Sequence, residues 1–252
     1  MINTTLSPLP KRFEGPVRRL LLLLALLFSF SGYAQLSQEK LLSEALIQLQ
    51  LPQEEIFSRQ VSFQSFGSET LIVLPVIAEQ EEGILVLDAH LLLVDAATGE
   101  ILAKYSGKKD WYSDAVGLRR IEIDSAAYKL TKTGVGYGIK IDYSGSSRVN
   151  PYNATELSLY LREGEQLKPV LKDFRIAYLN AETDTWCNSS YESHSKSLEI
   201  TGVENNGFFN LKFTDSIQKG GSTDENCERS IAEEFQEVEI LEFEDGTYKR
   251  PL

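Results

Sequence analysis

The chain has 252 residues, with 25 basic and 37 acidic side chains and a formal net charge of −12. Such an excess of negative charge is repelled by nucleic-acid phosphates and by anionic membrane surfaces, so the composition argues against both as partners. If the protein has a macromolecular partner, we expect that partner to be cationic. Hydrophobic residues make up 42% of the chain, which is enough to build a globular core.

The first 34 residues have the three-part pattern of a secretory signal. Residues 1–19 carry four basic side chains and one acidic one, residues 20–30 are almost wholly apolar, and Gly32 and Ala34 are small residues where a signal peptidase reads them. The apolar run is shorter than the roughly 20 residues that a membrane span needs. We therefore predict cleavage after Ala34 and a periplasmic or secreted protein with no membrane insertion; an uncleaved anchor is the alternative.

The predicted mature chain, residues 35–252, has a net charge of −15 because the basic leader is removed. It contains both cysteines, Cys187 and Cys227. A widely spaced pair in an exported chain indicates a disulfide, whereas a redox pair is usually Cys-x-x-Cys and a zinc site needs more ligands. A disulfide closing this loop would stabilise the fold by about 4 kcal/mol in the chain-entropy model.

Residues 37–48 predict one short amphipathic helix, with Ser37 as its N-cap and Pro52 as the residue that stops it. Strands dominate from there. Residues 84–94 are apolar on both faces, which indicates a strand covered on both sides. Residues 94–102 resemble the hairpins of propeller blades and of PepSY-type domains, but they occur once, so we interpret them as an ordinary hairpin. Residues 107–118, which include Trp111 and Tyr112, are expected to form a surface loop.

Repeated hairpins with no helices between them predict a mostly β fold, an antiparallel sandwich or an open barrel-like sheet. The strand signals after residue 52 are listed here in chain order: 56–66, 70–78, 84–94, 101–105, 121–124, 128–131, 135–143, 155–161, 167–171, 174–179, 198–203, 208–213 and 235–243. We predict a single β-rich domain over residues 35–252, with a soft division near Lys172.

The clearest strand pair, residues 135–143 and 155–161, encloses a loop rich in turn-forming residues. On the first strand, Gly136 and Gly138 alternate with large apolar residues and follow Gly134. Their lack of side chains lets an aromatic ring, for which Trp111 is the nearest candidate, lie on bare backbone.

The loop begins Ser144-Gly145-Ser146-Ser147-Arg148, which offers hydroxyls and one guanidinium on a rigid base. It resembles the Ser-Gly-x-x-Tyr loop of bacterial periplasmic lysozyme inhibitors, all-β exported proteins whose loop enters the active cleft of the enzyme. The likeness covers Ser144, Gly145 and the position between two strands; Arg148 stands where the family has Tyr. It implies a partner-binding surface made of Ser144, Gly145, Ser146, Ser147, Arg148 and Asn150. The alternative is a solvated turn in which Asn150 and Asn153 bond to their own backbone.

Signals for catalysis are few. Asp88 and His90 face the same way on one strand, as an Asp that orients a catalytic His would, but the strand is expected to be buried and no Gly-x-Ser-x-Gly elbow accompanies them. We therefore interpret His90 as a buried histidine whose hydrogen bond is satisfied by Asp88. The other histidine, His194, has no partner that the sequence assigns. Loop acids at Asp173, Asp184, Asp224 and Glu225 show neither EF-hand order nor an RTX nonapeptide, so we predict no metal site. The sequence contains no P-loop or dinucleotide fingerprint, and we predict no cofactor.

We therefore predict a non-enzymatic binding or interaction protein of the bacterial envelope, in its sharper form an inhibitor or immunity protein against a cationic wall hydrolase. One alternative is a secreted hydrolase that uses Asp88 and His90 or a pair of carboxylates. The other is a structural envelope component without a small-molecule site.

Overall fold

The computed structural model describes residues 35–184, 188–222, 227–228 and 230–251. Contacts group Leu36–Leu252 into one unit. Helix α1, Gln38–Leu49, is followed by two single 3₁₀ turns, Gln53–Glu55 and Ser58–Gln60. The strands are β1 Ser62–Phe66, β2 Glu69–Glu81, β3 Ile84–Asp95, β4 Ile101–Ser113, β5 Val116–Ile123, β6 Tyr128–Lys129, β7 Val135–Gly145, β8 Tyr152–Glu163, β9 Gln166–Thr183, β10 Ser189–Asn205, β11 Phe208–Ser222, β12 Ser230–Glu244 and β13 Thr247–Lys249.

These strands form one 13-stranded sheet that is not closed. Its main path runs β1-β2-β3-β4-β9-β10-β11-β12-β13, and β8, β7, β5 and β6 branch from β9. The prediction of a mostly β chain with one short helix is confirmed. The sheet is mixed rather than purely antiparallel, because a bridge between Lys104 of β4 and Gln166 of β9 is parallel. Residues 1–34 and Cys187 lie outside the described residues, so the signal and the disulfide to Cys227 stay predictions.

Helix α1 begins as the sequence indicates. Ser37 Oγ accepts a hydrogen bond from the backbone N–H of Lys40, and Leu41 and Ala45 are buried. They pack on apolar side chains of β2 and β3, so the helix covers one face of the strand pair. Within the described ranges, no helix has both the length and the apolar character that a membrane crossing needs.

Strand β3 is covered on both faces, as predicted. On the face away from α1, Leu87, Ala89, Leu91 and Leu93 are buried against Trp111 and against apolar residues of β5 and β7. On the other face, Leu92 and Val94 join the cluster beneath the helix. A second core lies where β8 and β9 meet β11, and it includes Leu159 and Phe213. Each fully buried large apolar side chain contributes roughly 1.5–3 kcal/mol to stability.

The hairpin between β3 and β4 forms as interpreted. Gly99 has a φ of 77°, and its N–H donates to the carbonyl of Asp95. The Asp95 carboxylate in turn accepts from the backbone N–H groups of Ala97 and Thr98.

The predicted loop over residues 107–118 is wrong, because β4 and β5 occupy most of that segment. Its polar residues form a bulge in β4 opposite β3, where Lys109 has a φ of 50° and its N–H donates to the Asp88 carboxylate. Trp111 then pairs with Leu87 and is 2% exposed. The polar run therefore marks a local irregularity within a strand.

The glycines of β7 do accommodate a close approach, although the ring is not that of Trp111. A Cβ atom on Gly138 would lie 2.7 Å from Cε2 of Tyr128, and one on Gly136 would lie 2.5 Å from Cδ1 of Leu130. Trp111 belongs to the other core. The short segment around β6 therefore packs directly on the bare backbone of β7.

We predict that Gly138→Ala lowers the free energy of unfolding by about 1–3 kcal/mol, because the added methyl overlaps the buried Tyr128 ring. Gly202→Ala is the matched control: no atom lies within 4 Å of its added methyl, so its effect should stay within roughly 0.5 kcal/mol. Urea denaturation of both variants measures the difference. Equal stability of the two would show that β6 does not pack on β7 in this way.

Candidate functional site

The loop singled out in the sequence is exposed and rests against the end of β9. Ser144 and Gly145 end β7, and residues 146–150 are exposed. The carbonyl of Val149 accepts a 2.8 Å hydrogen bond from the N–H of Thr183, and Ser147 Oγ accepts from the N–H of Asn150. The Arg148 guanidinium has no hydrogen bond or ion pair within the described residues. The loop is thus held by a backbone hydrogen bond and by the Ser147 hydroxyl, and it leaves the side chains of Ser146 and Arg148 to solvent.

Part of the predicted partner-binding surface, at Asn150, lines a cavity. Val149 and Asn150 line a cavity of about 460 Å³ together with residues at the ends of β9 and β10. Asp184 borders it and accepts hydrogen bonds from the backbone and side chain of Asn188. In the described ranges, no group of three or more His, Cys, Asp or Glu side chains is arranged to hold a metal ion. Asp224 and Glu225 lie outside those ranges.

A second pocket, of about 430 Å³, lies at the strand ends that carry the loop. We call it the tyrosine pocket; its lining residues are Tyr112, Asp114, Val116, Tyr143, Tyr152, Ala154 and Glu156. Tyr143 and Ala154 are paired across β7 and β8, and Val116 at the start of β5 pairs with Gly145 of the loop. The ladder that fixes the loop therefore also fixes the pocket.

The Glu156 carboxylate of the tyrosine pocket is only partly compensated by a neighbouring cation. Burial raises the pKa of Glu156, and the nearby carboxylate of Asp173 raises it further, while Arg175, 3.9 Å away, opposes the rise. Burial and the same carboxylates also raise the pKa of Tyr143, which keeps its phenol neutral. Tyr112 is 48% exposed and presents its ring to solvent. Aromatic faces beside carboxylates are the combination that favours a cation.

The structure does not connect Asp88 to His90 as a catalytic pair would be. The Asp88 carboxylate accepts hydrogen bonds from Nζ of Lys108 and from the backbone N–H of Lys109, whereas Nδ1 of His90 bonds to Oγ of Ser106 at 2.9 Å. Burial lowers the pKa of His90, which favours the neutral ring. Asp88 thus stabilises the β4 bulge and does not orient the imidazole.

The sequence assigned no partner to His194, and the structure supplies two. Nδ1 lies 2.7 Å from the Asp215 carboxylate, and Nε2 lies 2.9 Å from that of Glu192. The ring also stacks on Tyr178, with centroids 4.1 Å apart. Glu192 is two residues from His194 on the same strand, so a period of two could have suggested that contact. Asp215 is 21 positions from His194, and only the pairing of β10 with β11 brings them together, so no local pattern could have revealed the second contact.

This cluster borders a groove of about 680 Å³, which we call the His194 groove; its lining residues are Arg175, Tyr178, His194, Lys196, Phe213, Asp215, Glu237, Val238, Glu239, Ile240, Arg250 and Pro251. Burial acts to lower the pKa of His194, but its hydrogen bonds to Asp215 and Glu192 outweigh burial and raise the pKa. Because both ring nitrogens already bond to carboxylates, neither is free to take a proton from a substrate.

Comparison with protein-family models, with curated protein sequences and with solved structures found no match for this chain. The function is therefore argued from the geometry of the described residues.

We predict that His194→Gln reduces the free energy of unfolding more at about pH 5.5 than at about pH 9. A raised folded-state pKa adds stability below the unfolded-state value, near 6.5, and that stability is lost as the pH rises through the folded-state pKa. His90→Gln is the matched control and should show the opposite trend, because its pKa is lowered. Denaturation curves at the two pH values measure both; a pH-independent effect of His194→Gln contradicts the ion-pair geometry.

Proposed function

We propose that the protein is an exported, non-enzymatic binding protein of the bacterial envelope whose partner places a cationic side chain in the tyrosine pocket. The observation that carries the proposal is the pocket itself, where three tyrosines stand beside Asp114 and Glu156 next to an exposed loop. A Lys or Arg side chain suits it because the alkyl stem packs on the rings while the charged head meets the carboxylates.

The loop would contact the partner around this pocket. Gly145 pairs with Val116, which lines the pocket, so the loop begins at its rim. The hydroxyls of Ser146 and Ser147 and the guanidinium of Arg148 are exposed and would bond to polar groups of the partner that surround the inserted cation. The structure thus supports the loop as one half of a larger surface whose other half is aromatic.

The sharper form of the proposal is an inhibitor or immunity protein against a cationic wall hydrolase. Two features support it: the predicted export signal, and the net charge of −15 that the mature chain would carry. Opposite net charges accelerate association, and salt screens the attraction between them. Such a complex should therefore form faster at low ionic strength.

A hydrolase is the second candidate, and one observation favours it at a site that differs from Asp88 and His90. The raised pKa of Glu156 beside a second carboxylate is the arrangement in which a carboxyl group acts as a general acid. In that case Glu156→Gln would abolish release of sugars from wall glycan. Under the binding proposal the unaltered protein releases none.

We predict that Tyr112→Ala and Glu156→Gln each weaken binding to a cationic lysozyme by roughly fivefold to thirtyfold, since each removes one part of a cation site worth about 1–2 kcal/mol. Isothermal titration calorimetry of residues 35–252 at low and moderate salt provides the affinities. Glu54→Gln, in the Gln53–Glu55 turn, is the matched control for loss of one exposed charge and should have little effect. If the unaltered protein gives no heat of binding with lysozyme, the result contradicts the proposal of an inhibitor or immunity protein. Capture of basic envelope proteins then tests the more general proposal of a binding protein.

The loop is tested separately. Arg148→Ala combined with Ser146→Ala should weaken the same binding by about tenfold, because both side chains are exposed and neither supports the fold. Unchanged affinity of the double variant, with the tyrosine variants impaired, would restrict the binding surface to the pocket.

A further inference from the structure

Strand β12 leaves one long backbone edge without a partner strand. Residues Ser230 to Leu241 pair with β11 on one side, and on the other side β13 covers only Glu242 to Glu244. No other described strand pairs with β12. A free edge of this length presents a row of N–H and C=O groups that can accept an added strand.

The turn after β12 shows which residues direct their backbone groups outward. Asp245 and Gly246 both have positive φ, 50° and 85°, as in a two-residue type I′ hairpin. Glu244 and Thr247 then exchange hydrogen bonds across the hairpin, and the direction alternates along the strand. The N–H and C=O groups of Val238 and Ile240 therefore point away from β11.

The outward edge opens onto space that can hold a chain. Four consecutive residues of β12, Glu237 to Ile240, line the His194 groove, so the groove touches both faces of the strand and hence its edge. Val238 and Ile240 are 59% and 43% exposed and lie on one face; Phe235 and Glu237 lie on the other.

The negative charge of β12 determines which kind of segment can bind to its edge. Strand β12 contains six glutamates and no basic residue. Glu239 is neutralised by Lys196 and Arg250, whereas Glu233 and Glu237 have no ion pair within the described residues. A second copy pairing through this strand would bring glutamates opposite glutamates, which is destabilising.

We propose that the outer edge of β12, from Glu234 to Ile240, binds an extended basic segment of another protein by strand addition. The segment alternates apolar residues, which cover Val238 and Ile240, with Lys or Arg residues, which meet Glu237 and the Phe235 ring. This surface differs from the tyrosine pocket, so it does not depend on the proposed function.

The probe is a fluorescein-labelled octapeptide of alternating Lys and Val, titrated with residues 35–252 and followed by fluorescence anisotropy. We expect saturable binding that weakens with salt. The same peptide N-methylated at alternate residues along its pairing edge keeps its charge but cannot extend the sheet, and it should bind at least about tenfold more weakly. A peptide with Glu in place of Lys should not bind.

Two variants locate the site on the protein. Val238→Pro removes an outward N–H and spares the β11 ladder, so it should weaken binding by about tenfold; the matched control Val238→Thr keeps the N–H and should bind normally. If Val238→Pro has a clearly lower melting temperature, strand addition is tested instead with the unaltered protein, by comparing its affinities for the N-methylated and the unmethylated peptide. Tyr112→Ala should leave the difference in affinity between the unmethylated and the N-methylated peptide unchanged, because a Lys side chain in the tyrosine pocket does not need the backbone N–H groups of the peptide. This difference separates the result from that of the tyrosine pocket.

Equal binding of the methylated and unmethylated peptides would overturn the proposal, because attraction between charges alone would then explain it. Binding of the Glu peptide would overturn it as well. A dimer in analytical ultracentrifugation that Val238→Pro dissociates would show that the occupant is a second copy, which also overturns it.

Discussion

The structure depends on the ladder along β9, the longest strand, which joins the rest of the sheet. It pairs with β8 along most of its length, with β10 over residues 177–183, and with β4 at Gln166. The pairing with β8 shifts register at three places, whereas the pairing with β10 is regular. At one of them Asp173 adopts a φ of 50°, and Ser158 Oγ both donates to its carboxylate and accepts from its N–H.

That irregularity contributes to the electrostatics of the tyrosine pocket. Because the bulge fixes Asp173, its charge is felt by Glu156 in the tyrosine pocket. Arg175, two residues further along, lines the His194 groove and lies 5.7 Å from the centre of the Tyr178 ring. The two sites thus lie on either flank of β9. Their charged groups are positioned by backbone hydrogen bonds, which are costly to leave unmade in a buried sheet.

The sequence predicted the elements whose pattern is local. The two-sided apolar run of β3, the alternation in β7 and β8, and the helix after Ser37 each depend on neighbouring residues, and each appears where the pattern placed it. The β4 bulge was missed because Gly107 to Asp110 read as a polar loop, although Asp88 on the facing strand satisfies the bulged N–H. The pairing of His194 with Asp215 depends on register between strands, and a single sequence contains no direct record of register.

The glycines of β7 show the same limit in a different form. Their alternation predicted that something would lie on bare backbone, and steric reasoning alone was enough for that. Which ring does so depends on where the chain turns after β5, and that turn brings Tyr128 rather than Trp111. The residue types of β7 therefore predicted an open space over its backbone, whereas the tertiary fold determined which side chain fills that space.

The carboxylates of the tyrosine pocket and those of β12 stand in different environments, and this decides how each can select a cation. Glu156 is partly buried, and this burial, which removes part of the hydration of its carboxylate, raises its pKa. A cation entering there gains an attraction strengthened by low dielectric, but it must give up part of its own hydration, which offsets some of that gain. Glu233 and Glu237 remain in water, where an ion pair with a partner contributes little binding free energy. At the β12 edge, backbone hydrogen bonds must therefore supply most of the affinity, and the charges mainly determine which partner binds.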